Sequence, residues 1–211
     1  MEKFKYSNKY KFTTEWFDSN MDTWEKIFVG HGKNTYDKIK NVLEIGAYEG
    51  RATVFLCEHL LKDNENLKYT ATDSWGGMDV NGEIDTTKID HYKSVYNNFL
   101  HNISFFDDVD FKHVKDFSQF VLPNLHQEGN KYDFIYVDAS HESDDTFVNG
   151  YYSHRMLNPG GILIFDDFGW KNQTKPHQLH SPETGIRTFF TMYEKSYDII
   201  HQGYQIAAIK K

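Results

Sequence analysis

The chain has a single cysteine, Cys57, among its 211 residues. No internal disulfide can form, and an intracellular, cytoplasmic protein is the simplest reading. No apolar run reaches the roughly 18 residues needed to cross a bilayer, so no membrane span is expected. The first residues, MEKFKYSNKY, carry lysines with no apolar segment behind them and do not read as a signal peptide. Lys and Arg number 23 against 31 Asp and Glu, a net charge of −8, and no basic cluster stands out. That balance argues against a nucleic-acid surface and leaves small molecules as partners. Repeats and low-complexity linkers are missing as well, and nothing in the pattern indicates an oligomeric state. Core material is plentiful: 39% of the residues are apolar and 17% aromatic, enough for one sizeable core.

KNVLEIGAYEGRATVFLCEHLL passes from an apolar run through Gly-x-x-x-Gly into apolar residues at helical spacing: Val54, Cys57, Leu60 and Leu61. This predicts strand, glycine turn and helix, with Cys57 in the core. LKYTATDSW predicts a second strand ending at Asp73. IDHYKSVYNNFLHNI predicts a helix with Tyr92, Val95, Tyr96, Phe99 and Leu100 on one face. VDFKHVKD is a third strand ending near Asp116, and FSQFVLPNL its short helix. KYDFIYVDAS is a fourth strand, followed by a helix to about Leu157, a tight turn at NPGG and a fifth strand in GILIFDDF. ETGIRTFFTMYEKS reads as a helix, and YDIIHQG with YQIAAIK as an antiparallel pair around Gly203. The alternation implies a single α/β domain over 1–211, a doubly wound, mostly parallel sheet with a C-terminal antiparallel hairpin. Ligands are expected beyond the C-terminal ends of the strands. Within it, residues 1–38 read as an N-terminal helical flap across that edge, with Trp16, Phe17, Trp24, Ile27 and Phe28 at loosely helical spacing, and 39–211 as the α/β core.

The segment from Glu44 to Gly50 is not a dinucleotide fingerprint, because the second glycine would fall at Tyr48. It is not a P-loop, because no Gly-Lys-Ser/Thr follows. Glu44 would repel a phosphate but suits a cationic ligand, and Asp73 suits a bidentate grip on ribose hydroxyls. A glycine turn that only closes a sheet is the alternative.

Two further strands end in carboxylates: Asp138 after FIYV, and Asp166 with Asp167 after LIF. Crowded carboxylates at a buried edge are costly without a positive partner. With no cysteine nearby, these hard oxygen ligands point to Mg²⁺, with Ca²⁺ or Mn²⁺ as alternatives, rather than zinc. Adjacent strand ends lie ~5 Å apart, close enough for one cation to touch both. Asp138 or Asp167 could instead only cap the next helix. His141, three residues after Asp138, is a candidate general base; its alternative is a helix-start histidine without a role. His177 and His180, in KPHQLHSPET, read as solvated.

LEIGAYEG resembles motif I of class I S-adenosylmethionine-dependent methyltransferases, and is especially similar to catechol O-methyltransferase and its relatives. From TTEWFDSN through LEIGAYEGRAT, TDSW, DFIYVDASH and NPGGILIFDD to TGIRTFF, most of the chain is similar to the branch that includes macrolide-sugar O-methyltransferases. The resemblance implies a Rossmann-like, seven-stranded fold with helices on both faces, S-adenosylmethionine as cofactor, and metal-assisted methyl transfer to a hydroxyl of a small molecule. It implies that Glu44, Gly46, Ala47, Tyr48, Gly50 and Thr53 surround the methionine end. Asp73 would hold the ribose with Ser74 beside it, Trp75 and Asp116 would lie near the adenine, and Asp138 would face both cofactor and metal. Asp138, Asp166 and Asp167 match the Mg²⁺ positions of these enzymes. His141 matches a catalytic lysine in the catechol enzymes and a histidine in the macrolide-sugar branch, and with Asp138 forms the expected catalytic pair.

There are two departures. Ala52 stands where relatives present a serine hydroxyl to the methionine carboxylate. Ser140 stands where the catechol enzyme has a tryptophan, so catechol is not implied as acceptor. A cofactor-binding protein without transfer activity and a small-molecule N-methyltransferase both stay open. The acceptor's walls, expected from the flap and from residues 76–90 and 169–183, are the least patterned parts of the chain.

Overall fold

A computed structural model of the chain describes residues 4–30, 38–76, 87–171 and 177–211. Parts of the expected flap (1–3 and 31–37) and of the expected acceptor walls (77–86 and 172–176) lie outside the described residues.

Seven strands form one sheet: β1 Asn41–Ile45, β2 Lys68–Asp73, β3 Asp110–Lys115, β4 Tyr132–Val137, β5 Leu157–Phe165, β6 Tyr197–Gln202 and β7 Ile206–Lys210. Their order is β3-β2-β1-β4-β5-β7-β6. β1 to β5 pair in parallel, and β7 runs antiparallel to both of its neighbours. The mostly parallel sheet with a terminal hairpin is as the sequence predicts. Central strands covered on both faces need near-continuous apolar runs, which NVLEI and FIYV supply. The edge strand β3 is mostly exposed and presents Lys112 and Lys115 to solvent, charges that discourage further pairing. The NPGG turn lies inside β5: Leu157 pairs with Tyr132 and Ile162 with Phe134, so the turn is looped out of the ladder.

The helices are α1 Met21–Gly30, α2 Arg51–Phe55, α3 Ile89–Ile103, α4 Ser118–Gln127, α5 Ser143–Met156 and α6 Pro182–Met192. None among the described residues is long and apolar enough to cross a membrane. α2 runs on into a single π-turn, Leu56–Leu60, whose wider step keeps Cys57 and Leu61 buried and leaves Leu60 half-buried. The apolar residues form two clusters. One gathers Trp24, Phe55, Trp75, Phe99 and Tyr136; the other gathers Leu122, Ile135, Phe165, Ile186 and Phe189. The N-terminal segment belongs to the first. Trp24 is fully buried, packs edge-on against Tyr136 (ring centroids 4.8 Å apart) and donates its indole N–H to Gln205 Oε1 at 2.7 Å. Trp24→Ala should therefore lose about 3–5 kcal/mol of stability, read as a lower urea midpoint. An unchanged midpoint would show that α1 contributes nothing to the core.

One carboxylate sits inside the sheet. Glu44 in β1 is 1% exposed, and its Oε2 accepts from the Tyr69 hydroxyl of β2 at 2.7 Å and from the Thr53 hydroxyl of α2. Burial pushes its carboxyl up to about 7, against hydrogen bonds from Thr53 and Tyr69 that favour the charged form. An unfolded glutamate ionises near 4.5. Between these values the folded chain holds a proton that the unfolded chain has shed. Stability therefore falls as pH rises through this window and levels off above it. Thermal melts of Glu44→Gln between about pH 5 and about pH 7.5 should lose that decline relative to the parent. An equally steep decline in the variant would assign the titration to another group.

Candidate active site

The order of strands reverses between β1 and β4, and a crevice opens at their C-terminal ends. Gly46 follows β1 with φ +93, and a β-carbon there would lie 1.8 Å from the Asp138 carbonyl oxygen. Only glycine allows the two chain ends to meet this closely. The Gly46 and Ala47 N–H groups both donate to the Thr72 carbonyl, at 2.7 and 3.3 Å, drawing the turn over β2. Tyr48, at φ +47, donates its N–H to Asp73 Oδ2 at 2.9 Å. Trp75 donates its backbone N–H to Asp73 Oδ1 at 2.8 Å and its indole N–H to the Tyr48 carbonyl at 2.7 Å. Asp73 is thus held between two turns. Burial raises its pKa, with the Trp75 and Tyr48 amides pulling the other way.

Gly46, Tyr48, Asp73, Ser74 and Asp138 line a cleft of about 680 Å³, a size suited to a small molecule. The other expected cofactor residues stand behind that wall. Glu44 and Thr53 are bonded to each other beneath the turn. Ala47 and Gly50 close the turn, with the Gly50 N–H on the Ala47 carbonyl at 2.7 Å. Trp75 is buried against Phe99 and Tyr96, at 4.6 and 4.9 Å between centroids. Asp116 accepts from the Phe117 N–H at 2.8 Å and is exposed; Phe117, Ser118 and Gln119 line the cleft at that end instead.

On the other side the three aspartates come together with His141. Tyr136 places its hydroxyl 2.9 Å from Asp138 Oδ2 and also against Asp166 Oδ2. Asp166 accepts further from Asn20 Nδ2 at 3.1 Å and from the Asp167 N–H at 2.7 Å. Asp167, at φ +57, has Oδ2 2.7 Å from His141 Nε2 and accepts the Tyr204 hydroxyl on Oδ1 at 2.7 Å. Trp170 stacks on the imidazole, with centroids 4.3 Å apart and planes 21° apart. Burial, then the charges of Asp166 and Asp167, raise Asp138 well above the usual carboxylate range. Burial, then Asp167, pushes Asp166 up to about 6. No Lys or Arg among the described residues lines the cleft to relieve this crowding. Among the described residues, no three His, Cys, Asp or Glu side chains form a ready metal cage.

His180 is not solvated, as the sequence suggests, but pairs Nδ1 with Glu142 Oε2 at 2.6 Å. His177 accepts the Leu179 N–H at 3.2 Å and caps the short turn Gln178–His180. Sequence reasoning passes over Tyr136, Asn20, Trp170 and Tyr204. Tyr136 carries a signal, a polar-tipped residue in the apolar run Phe134–Val137, two positions before Asp138. Asn20 and Tyr204 carry none, because their partners lie far away along the chain.

Residues 43–168, more than half of the chain, match the family model described as a methyltransferase domain. No curated protein matches by sequence. Among solved structures, the fold is similar to the O-methyltransferase from Bacillus cereus in complex with SAH, at 16% identity, covering 92% of this chain and 91% of that one (TM-score 0.56). It is similar to the O-methyltransferase TomG from Streptomyces achromogenes, involved in tomaymycin synthesis and solved with SAM, at 15% identity, covering 90% and 80% (TM-score 0.56). A third likeness is to the MycE methyltransferase of the mycinamycin pathway, solved with Mg, SAH and mycinamycin VI, at 13% identity, covering 95% of this chain and 50% of that one (TM-score 0.54). At such identities the likeness is one of fold. The matched region runs from β1 through the Asp166–Asp167 pair and carries both sides of the cleft, so the chain belongs to the methyltransferase domain family.

Proposed function

We propose that the chain is an S-adenosylmethionine-dependent O-methyltransferase acting on a hydroxyl of a small molecule with the help of a divalent cation, and that 1–211 work as one domain. The observation that carries this is a single cleft with Asp73 on one wall and His141 beside three aspartates on another. The residues fit the cofactor. The bare backbone at Gly46 permits close approach, and Asp73, after accepting two amide N–H bonds, keeps lone pairs for ribose hydroxyls. They fit a cation in chemistry: Asp138, Asp166 and Asp167 are hard oxygen donors whose crowding calls for positive charge. Support also comes from TomG, solved with SAM, and MycE, solved with Mg and SAH.

When bound, S-adenosylmethionine supplies an electrophilic methyl group and a divalent cation lowers the pKa of a neighbouring hydroxyl. The rest falls to the chain. Asp73 orients the cofactor, with Tyr48 and Trp75 bracing it. His141 takes the proton from the acceptor hydroxyl, its ring held between Asp167 and Trp170. Trp16, Phe17 and Phe117 supply apolar walls.

Asp73→Ala should weaken S-adenosylmethionine binding by roughly thirty- to a hundredfold, the loss of two hydrogen bonds, in titration calorimetry. Unchanged affinity would remove Asp73 from the cofactor site. In a transfer screen over hydroxylated compounds, His141→Ala should slow the reaction by about 10²–10⁴ with cofactor affinity intact. Exhaustive chelation should stop transfer in the parent; full activity after chelation would rule the cation out.

A further inference from the structure

The polar groups expected at the cofactor's methionine end do not reach the cleft. Glu44 and Thr53 are bonded to each other and buried, and neither lines it. Ala52 is buried and has no hydroxyl to offer. A different element faces the cleft there, the short turn Trp16–Asn20, which touches both walls. At one end the Trp16 ring lies against the Tyr48 ring, with centroids 5.3 Å apart. In the middle, Asp18 is gripped by Arg51 at the start of α2. At the other end, Asn20 donates Nδ2 to Asp166 Oδ2 at 3.1 Å. Asn20 is 6% exposed, and an amide so deeply buried ordinarily uses both its nitrogen and its oxygen. With Nδ2 committed to Asp166, Oδ1 is turned away from it and accepts no hydrogen bond among the described residues. The hydroxyl of Ser19, which also lines the cleft, reaches the Trp16 carbonyl at 3.4 Å, a long and weak bond.

Resting on the reading of the cleft as an S-adenosylmethionine site, we propose that Asn20 and Ser19 hold the amino-acid end of the cofactor. Asn20 Oδ1 accepts an N–H of the α-ammonium, and the Ser19 hydroxyl donates to the α-carboxylate. The pairing follows from the chemistry of each group. An amide oxygen can only accept, and an ammonium can only donate. No Lys or Arg among the described residues lines the cleft, so the carboxylate needs a neutral donor, and Ser19 adjoins Asn20. Contacts to Tyr48 and Asp166 at its two ends hold the turn in place, so both side chains are set before the ligand arrives.

Two ligands separate the ends of the cofactor: S-adenosylhomocysteine, and methylthioadenosine, which keeps the nucleoside and sulfur but lacks the amino-acid end. Both are titrated calorimetrically in EDTA, so that cation binding does not enter. The parent should bind S-adenosylhomocysteine the more tightly. Asn20→Leu, close in shape, should lose about tenfold in affinity for it, the worth of one hydrogen bond to a charged group, and nothing for methylthioadenosine. Ser19→Ala should lose a few-fold, again for S-adenosylhomocysteine alone. Ser19 is exposed, so this variant decides the matter should Asn20→Leu fail to fold. Equal losses for both ligands would mean that the turn only shapes the cleft, and would overturn the assignment. So would S-adenosylhomocysteine affinity unchanged in either variant, or a parent that binds the two ligands equally well; in both cases the nucleoside site stands. A parent that binds neither ligand overturns the cofactor reading as well.

Discussion

The approach of Gly46 to the carbonyl of Asp138 is the contact on which the rest of the site depends. The Asp138 N–H donates to the Ile45 carbonyl at 2.8 Å, so β1 and β4 end level with one another, and the missing side chain at Gly46 lets them touch. From the β1 end the chain turns over β2 and fixes Asp73 through the Tyr48 amide. From the β4 end it continues into Asp138, Ser140 and His141. Any side chain at position 46 would force the two ends apart, and the walls of the cleft would separate with them. Sheet topology decides where a crevice can form; one glycine decides that it closes into a site.

The N-terminal segment is tied to that glycine turn. Arg51, the first residue of α2, grips Asp18 with Nε and Nη2 at 2.5 and 2.6 Å and donates Nη1 to the Thr14 carbonyl at 2.9 Å. Its guanidinium also lies over the rings of Tyr6 and Phe12, at 4.4 and 4.7 Å. Glu49, inside the turn, accepts the Thr13 N–H at 2.6 Å, and Asn102 of α3 exchanges hydrogen bonds with Lys11 at 2.8 and 2.9 Å. The Arg51–Asp18 pair is partly exposed and contributes little alone. Joined to the buried network and to the Trp24 core contact, it delivers Trp16, Phe17 and Asn20 to the cleft and Asn20 to Asp166. The expected flap is therefore anchored to the residues that form the glycine turn after β1.

Electrostatics set the character of the opposite wall. Asp138 and Asp166 share the Tyr136 hydroxyl, which has one hydrogen to give. Neutral donors from Tyr136 and Asn20 orient these acids but do not cancel their charge, and burial sharpens the repulsion. Asp167 escapes part of it by turning toward His141 and Tyr204. Asp138 and Asp166 thus share a neighbour while Asp167 has its own, although all three come from two short strand ends.

Local pattern was enough to determine the alternation of strands and helices, the glycine turn after β1 and the carboxylates at three strand ends. Periodicity, turn chemistry and the end of an apolar run are all written within a few residues. It also located Asp73, Asp138, His141, Asp166 and Asp167, to which the resemblance to methyltransferases added Gly46 and Tyr48, and the fold brings all of them to one cleft. It did not separate side chains that line the cleft from those that brace it. Glu44, Thr53 and Trp75 lie in the same motifs, yet packing against Tyr69, Phe99 and Tyr96 turns them inward. Nor did it reveal Asn20 or Tyr204, which meet Asp166 and Asp167 across 146 and 37 residues of sequence. The orientation of Asp167 toward His141 follows from the β6–β7 hairpin folding back across the end of β5. Only the tertiary structure could decide it, because a hydrogen bond between residues so far apart leaves no periodicity or spacing for a sequence to display.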